Sequence, residues 1–147
     1  MAELIVVIVI VGILAAVAGP KIQGILGAQD DAWRDQAVAA LRLGQKTAVA
    51  SRRLVCAVVA TGSVTLSIAP ANPASTCSAT LPGLDGSGSA TSSRSTAATS
   101  VSPQATLYFQ PTGQVSTDGA GSAVANFTVS IATESAISVV GATGYVH

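Results

Sequence analysis

The hydrophobic and polar positions divide the chain into three stretches. Residues 1–20 contain one acid, Glu3, followed by an uncharged and mostly aliphatic run. In residues 21–53 apolar positions recur at a spacing close to 3.6, which indicates the amphipathic half of the same helix. In residues 54–147 the period shifts toward two, which is typical of strands. The pattern predicts an α+β protein in which a long N-terminal helix packs on an antiparallel β-sheet.

The helix is predicted to run from near the start to about Arg52. At 1.5 Å per residue it would be roughly 75 Å long, so its second half must pack on the rest of the chain. Trp33 is interpreted as the core anchor of that half. Asp30 and Arg34 are spaced as an i,i+4 ion pair. The basic residues toward the end of the helix are interpreted as a solvated or subunit-bridging face; they are Arg42, Lys46, Arg52 and Arg53.

The strand-like segments after the helix are separated by Gly- and Pro-containing turns. The segment 83–103 is rich in Gly, Ser and Thr and is predicted to be an exposed, mobile loop. Residues 70–82 are predicted to form a turn-rich loop. The predicted strands are 54–60, 63–69, 106–110, 114–117, 125–132 and 136–140.

The two cysteines, Cys56 and Cys77, are twenty-one positions apart. If the apolar segment anchors the chain in a membrane, both would lie outside the cytoplasm, where disulfides form and persist. A bridge is therefore the preferred interpretation, and two unpaired buried thiols are the alternative. The bridge would pin the 70–82 loop onto the first strand.

The composition excludes several classes of function. Seven basic and seven acidic residues give a formal net charge of zero, and charged residues make up only 10% of the chain. No electrostatic footprint for nucleic acid is expected. The one histidine, His147, is the last residue, and no pair of carboxylates is indicated, so we expect no catalytic residues, no metal site, no cofactor and no enzymatic activity.

Three interpretations of the apolar segment compete. Ala16-Val17-Ala18 would pass as the cleavage site of a signal peptide, although no basic residue precedes the apolar run. Residues 4–20 reach the lower length limit of a transmembrane anchor. The third interpretation is the core of a polymer. Glu3 favours it, because a positive charge on a neighbouring copy, such as a free α-amino group, would pair with that carboxylate and set the register of a bundle.

The residues from Glu3 to Lys21 (ELIVVIVIVGILAAVAGPK) closely resemble the N-terminal helix of type IV pilins and type II secretion pseudopilins. The acid, the aliphatic run, the midway Gly12, the ILAA segment and Pro20 stand at the spacing of that family. Three shorter segments are similar to pseudopilin-H-like proteins and to the minor pilins of mannose-sensitive haemagglutinin pili. They are the end of the helix (40–48, followed by Arg52-Arg53), 108–113 and 143–147.

The resemblance implies a type IV pilin fold and a subunit held in the bacterial inner membrane before it polymerises into an extracellular pilus. Its partners would then be further copies of the chain and other pilins. Glu3 would be the register-setting acid, and the stretch containing Gly12, Gly19 and Pro20 would be able to kink or lose helical hydrogen bonds. The family's mature chain usually begins with an N-methylated Phe four residues before the acid. Only Met1 and Ala2 precede Glu3 here, so we expect Met1 to be internal to a longer precursor or the product of trimming.

Overall fold

The computed structural model describes residues 2–82, 90–132 and 134–147, with side-chain surroundings described for all of these except 2, 16–27 and 92. The helix α1 spans Ala2–Ser51. The predicted end near Arg52 is confirmed, because Arg52 adopts a left-handed conformation with φ 53°. Its N–H donates to the Val49 carbonyl at 3.3 Å, and the Arg53 N–H donates to the Ala48 carbonyl at 3.2 Å. These two bonds form a Schellman motif, with arginine in the position that glycine usually occupies.

The larger sheet is built around β1 (Val55–Ala60). On one side β1 pairs antiparallel with β2 (Ser63–Ile68), across a tight turn in which Gly62 has a φ of 69°. On the other side it pairs antiparallel with β6 (Thr106–Phe109). Three two-residue strands extend the edges: β3 (Ala79–Thr80) and β4 (Thr91–Ser92) both pair with β2, and β7 (Val115–Ser116) pairs with β6.

A second, smaller sheet has β8 (Phe127–Ile131) at its centre. It pairs antiparallel with β5 (Thr99–Ser102) on one side and with β9 (Ile137–Val139) on the other. Along β8 every second side chain is buried. This period of two places one face of the sheet in the core and the other in solvent.

One hydrophobic core joins the helix to both sheets. Trp33, Ala37 and Leu41 are fully buried on α1, at the spacing of one helix face. Gly44 lies where the helix packs on the larger sheet. A Cβ added there would stand 3.1 Å from the Leu66 side chain, a tight contact that glycine avoids. The α+β class, with a long N-terminal helix packed on antiparallel sheets, is confirmed.

The structure differs from the sequence predictions in four places. The segment predicted as the loop 70–82 contains β3. The strands form two sheets where one was expected. The segment predicted as the loop 83–103 contains β4 and β5, while its residues 83–89 lie outside the described residues. The predicted Asp30–Arg34 pair gives way to tertiary partners. Asp30 accepts a hydrogen bond from the Ser95 hydroxyl at 2.6 Å, and Arg34 donates through Nε to the Ser135 carbonyl at 2.9 Å.

Candidate assembly interface

The first turns of α1 carry an apolar surface that the rest of the described chain does not cover. We call residues 3–15 the arm. Each large aliphatic side chain of the arm is between 51% and 69% exposed, and these side chains point in all directions around the helix. They are Leu4, Ile5, Val6, Val7, Ile8, Val9, Ile10, Val11, Ile13 and Leu14. A helix that is hydrophobic all round normally lies inside a protein core, a bundle or a membrane.

Glu3 lies in the first turn of α1 and is exposed. A carboxylate in this position is favoured by the positive end of the helix dipole. Met1 lies outside the described residues.

Gly12 lies in the middle of the exposed arm. A Cβ added at Gly12 would meet nothing within 4 Å, so the packing of the isolated chain does not require glycine there. At Gly44, in the same helix, an added Cβ would instead crowd the chain's own core. Gly19 and Pro20 also lie within α1, although their side-chain surroundings are outside the described residues.

Over the part of the chain that the structure describes, no helix is both long enough and apolar enough to cross a membrane.

The bridge between Cys56 and Cys77 is present, which confirms the preferred interpretation of the two cysteines. Cys56 lies in the central strand β1 and is only 6% exposed. Along β1, Val55 and Ala57 belong to the main core, while Cys56 belongs to a second cluster with Leu54 and Ala69. The bridge therefore ties the segment after β2 onto the face of the larger sheet that is turned away from the main core.

The helical residues outside the arm that were singled out in the sequence have different surroundings. Trp33 is fully buried and donates from its indole Nε1 to the Thr99 hydroxyl at 3.2 Å, so it anchors the helix to β5. Arg42 is exposed, yet its Nε and Nη2 donate to the Val146 carbonyl at 3.2 and 3.0 Å. Lys46 is exposed on the next turn.

An acidic group that sequence reasoning missed lies where the helix meets the end of β8. The Asp31 carboxyl is hydrogen-bonded to the Glu134 carboxyl and raises the pKa of Glu134 above its usual range. Desolvation and the negative charges of Asp31 and Asp30 act in the same direction, whereas Arg34 opposes them. Asp31 and Glu134 are 103 positions apart, so no local pattern in the sequence could have brought them together.

No group of three or more His, Cys, Asp and Glu side chains that could hold a metal ion occurs within residues 2–82, 90–132 and 134–147.

The fold and the arm define an α+β protein whose most conspicuous surface is an uncovered apolar helix. Comparison with family models, with curated proteins and with solved structures found no match.

Proposed function

We propose that this chain is a structural subunit of a type IV pilus filament, which assembles through its N-terminal helix. The observation that carries the proposal is the arm: an apolar helical surface, exposed on every side and headed by one acid. The resemblance of residues 3–21 to type IV pilins supports the same conclusion. In this proposal the subunit is held in the bacterial inner membrane before assembly. It is then incorporated into an extracellular fibre that serves adhesion, motility or surface contact.

In the proposed filament neighbouring arms cover one another, as lipid covers each arm before assembly. Fully burying one exposed Val, Leu or Ile side chain contributes roughly 1.5–3 kcal/mol. The arm has ten such side chains, each a little over half exposed, so a bundle gains on the order of 10 kcal/mol per copy relative to water. That gain is comparable to the roughly 4–15 kcal/mol lost in association.

In the filament the arms lie at the centre and the sheet-bearing domain faces outward. Glu3 sets the register, because a carboxylate carried into an apolar bundle is costly unless a positive group meets it. The free terminal amine of a neighbouring copy is the group we propose. Catalysis has no part in this function, and neither a cofactor nor nucleic acid is needed for it.

The test is filament formation in cells that produce the full chain, observed by negative-stain microscopy. Long thin fibres are expected from the wild type. Glu3→Ala should reach the membrane but form few or no fibres, and Glu3→Asp, which keeps the charge, should retain a substantial part of assembly. If Glu3→Ala assembles like the wild type, Glu3 does not set the register.

A second pair of variants tests the arm itself. Val7→Lys places a charge in the proposed bundle and should abolish fibres. Val124→Lys makes the same change at a valine of the domain that is 43% exposed, and it should leave fibres intact. If the two variants behave alike, the arm is not the assembly surface.

The alternatives give different outcomes in the same experiment. A type II secretion pseudopilin or a minor, tip-located pilin shares the arm but gives short polymers or none under ordinary expression. A binding module that uses the arm only as an anchor would give no fibres, and Glu3→Ala would not impair its insertion in the membrane.

A further inference from the structure

A second exposed surface of α1 carries opposite charges at its two ends. Asp31 and Asp35 lie one turn apart, and Arg42 and Lys46 lie one turn apart further along the helix. At about 100° per residue, all four fall within roughly 60° of one another around the helix axis. The fully buried Trp33, which anchors the core, lies on the opposite side of the helix. We call these four residues the charged stripe.

Within one copy the two ends of the charged stripe cannot neutralise each other. Asp35 and Arg42 are seven residues apart, which is about 10.5 Å along the axis and well beyond the reach of an ion pair. The Asp35 side chain is 84% exposed, and among the described residues its only ion-pair partner is the neighbouring Arg34, at 3.7 Å. Asp31 lies beside a second carboxyl, that of Glu134. For Lys46, no hydrogen bond or ion pair is found within the described residues.

The spacing of the charged stripe fits a second copy of the same chain. From Asp31 to Arg42 is eleven residues, and from Asp35 to Lys46 is also eleven. Eleven residues make slightly more than three full turns, so they return to nearly the same face of the helix. A parallel neighbour shifted by eleven residues, about 16.5 Å, therefore sets both acids of one copy opposite both bases of the other.

Small residues allow the two helices to approach at that stagger. Ala28, Ala39 and Ala50 are exposed, border the charged stripe and are also spaced by eleven. In the shifted pair Ala28 and Ala39 of one copy lie opposite Ala39 and Ala50 of its neighbour. Short side chains at a helix contact let the backbones come close together.

We propose that the charged stripe is a contact between neighbouring copies, which lie parallel with an axial stagger of eleven residues. The proposal rests on the filament function, because the arms can bundle only when the helices run in the same direction. An antiparallel pair would also match the charges, with residue 31 opposite 46 and 35 opposite 42, but it would send the arms to opposite ends. Exposed ion pairs contribute little affinity each, and their role here is to fix the register.

Disulfide cross-linking of intact filaments tests the stagger. Copies carrying Asp35→Cys are assembled with copies carrying Lys46→Cys and are mildly oxidised. A cross-linked dimer is expected, whereas the combination of Asp31→Cys with Lys46→Cys should give little. The native bridge keeps Cys56 and Cys77 out of the reaction. If only the 31–46 combination links, the contact is antiparallel and the proposal is wrong; if neither links, the stripe does not join copies at this stagger.

Charge reversal provides a second test that does not depend on cross-linking. Lys46→Glu should raise the concentration needed for assembly at low salt by roughly tenfold, because it replaces an attraction with a repulsion. Adding Asp35→Lys to the same chain should restore assembly, since each swapped acid then meets a swapped base. In an antiparallel contact this double swap would worsen assembly. Arg94→Glu makes the same change of charge at an exposed position off the helix and should have no effect.

Failure of this inference is distinguishable from failure of the proposed function. If the wild type forms no filaments, both fall. If it forms filaments that depend on Glu3 but show neither the 35–46 cross-link nor rescue by the double swap, only the stagger is wrong.

Discussion

Reducing the bridge between Cys56 and Cys77 should cost this protein a large part of its stability. The bridge closes a loop with a sequence separation of 21. In the chain-entropy account, freeing a loop of this size lowers the free energy of unfolding by roughly 3 kcal/mol. Domains of this size are stabilised by only about 5–15 kcal/mol in total. The small content of aromatic residues, 3% of the chain, leaves little reserve in the core.

The assay is urea unfolding of a fragment of residues 28–147, oxidised and reduced, followed by circular dichroism. The fragment omits the arm, and among the residues whose burial is described every member of the main core lies at position 33 or later. With an m-value of about 1–3 kcal/mol per molar in urea, the loss moves the midpoint by about 1–3 M. The Cys56→Ala/Cys77→Ala variant serves as a cross-check, because it adds the loss of sulfur volume to the loss of the bridge.

The reasoning is refuted if the reduced fragment lies within about 1 kcal/mol of the oxidised one, the size of an ordinary single substitution. The loop after β2 would then be held by its packing alone. If reduction has little effect but the double variant is strongly destabilised, the sulfur atoms act by filling space. Reduction should also raise the m-value, because the unfolded chain without its loop exposes more surface.

Two further predictions follow from the described contacts. Gly44→Val should lower the free energy of unfolding by about 2 kcal/mol, since a Cβ there crowds the buried Leu66, whereas Gly12→Val should leave the unfolding of the domain unchanged. The second concerns Glu134, whose raised pKa means that the folded chain binds its proton more tightly than the unfolded chain does. Its contribution to stability is therefore fully present below pH 4.5 and is lost as the pH rises through the folded pKa. Glu134→Gln keeps a hydrogen-bond donor for Asp31 and does not titrate, so the variant should not lose this stability as the pH rises. The measurement is the free energy of unfolding of both proteins, from below pH 4.5 to neutral pH.

The helix and the central hairpin could be predicted from the sequence because their signals are local. The spacing of apolar residues predicted α1 to within about one residue of its end at Ser51. The alternation from Val55 onward predicted β1 and β2 to within a residue at each end. The bridge between Cys56 and Cys77 was predicted because both were inferred to lie outside the cytoplasm, and not from any geometric signal in the sequence.

The missed elements depend on partners far away in the sequence. The strand β5 reads Thr-Ser-Val-Ser, a composition typical of a loop, and its backbone is ordered by β8, with Val101 opposite Val129. The prediction of an Asp30–Arg34 ion pair was wrong for the same reason. Arg34 lies one turn from Asp30, yet its Nε donates to Ser135, which is 101 positions away. An i,i+4 ion pair contributes only a few tenths of a kcal/mol, so it does not determine a side chain's partner once tertiary partners are available.

In the proposed filament, the apolar arm and the charged stripe have different roles. The arm is aliphatic all round, so sliding one helix past another by a turn, about 5.4 Å, buries nearly the same area and changes the free energy little. Hydrophobic burial alone would therefore give bundles of mixed register, as coiled coils do when no polar residue fixes their alignment. In the proposed filament, the Asp35–Lys46 contact penalises other registers between the two copies that it joins. Neutralising Asp35 and Lys46 while Glu3 is kept should accordingly leave association intact, but the fibres should lose their regular axial repeat.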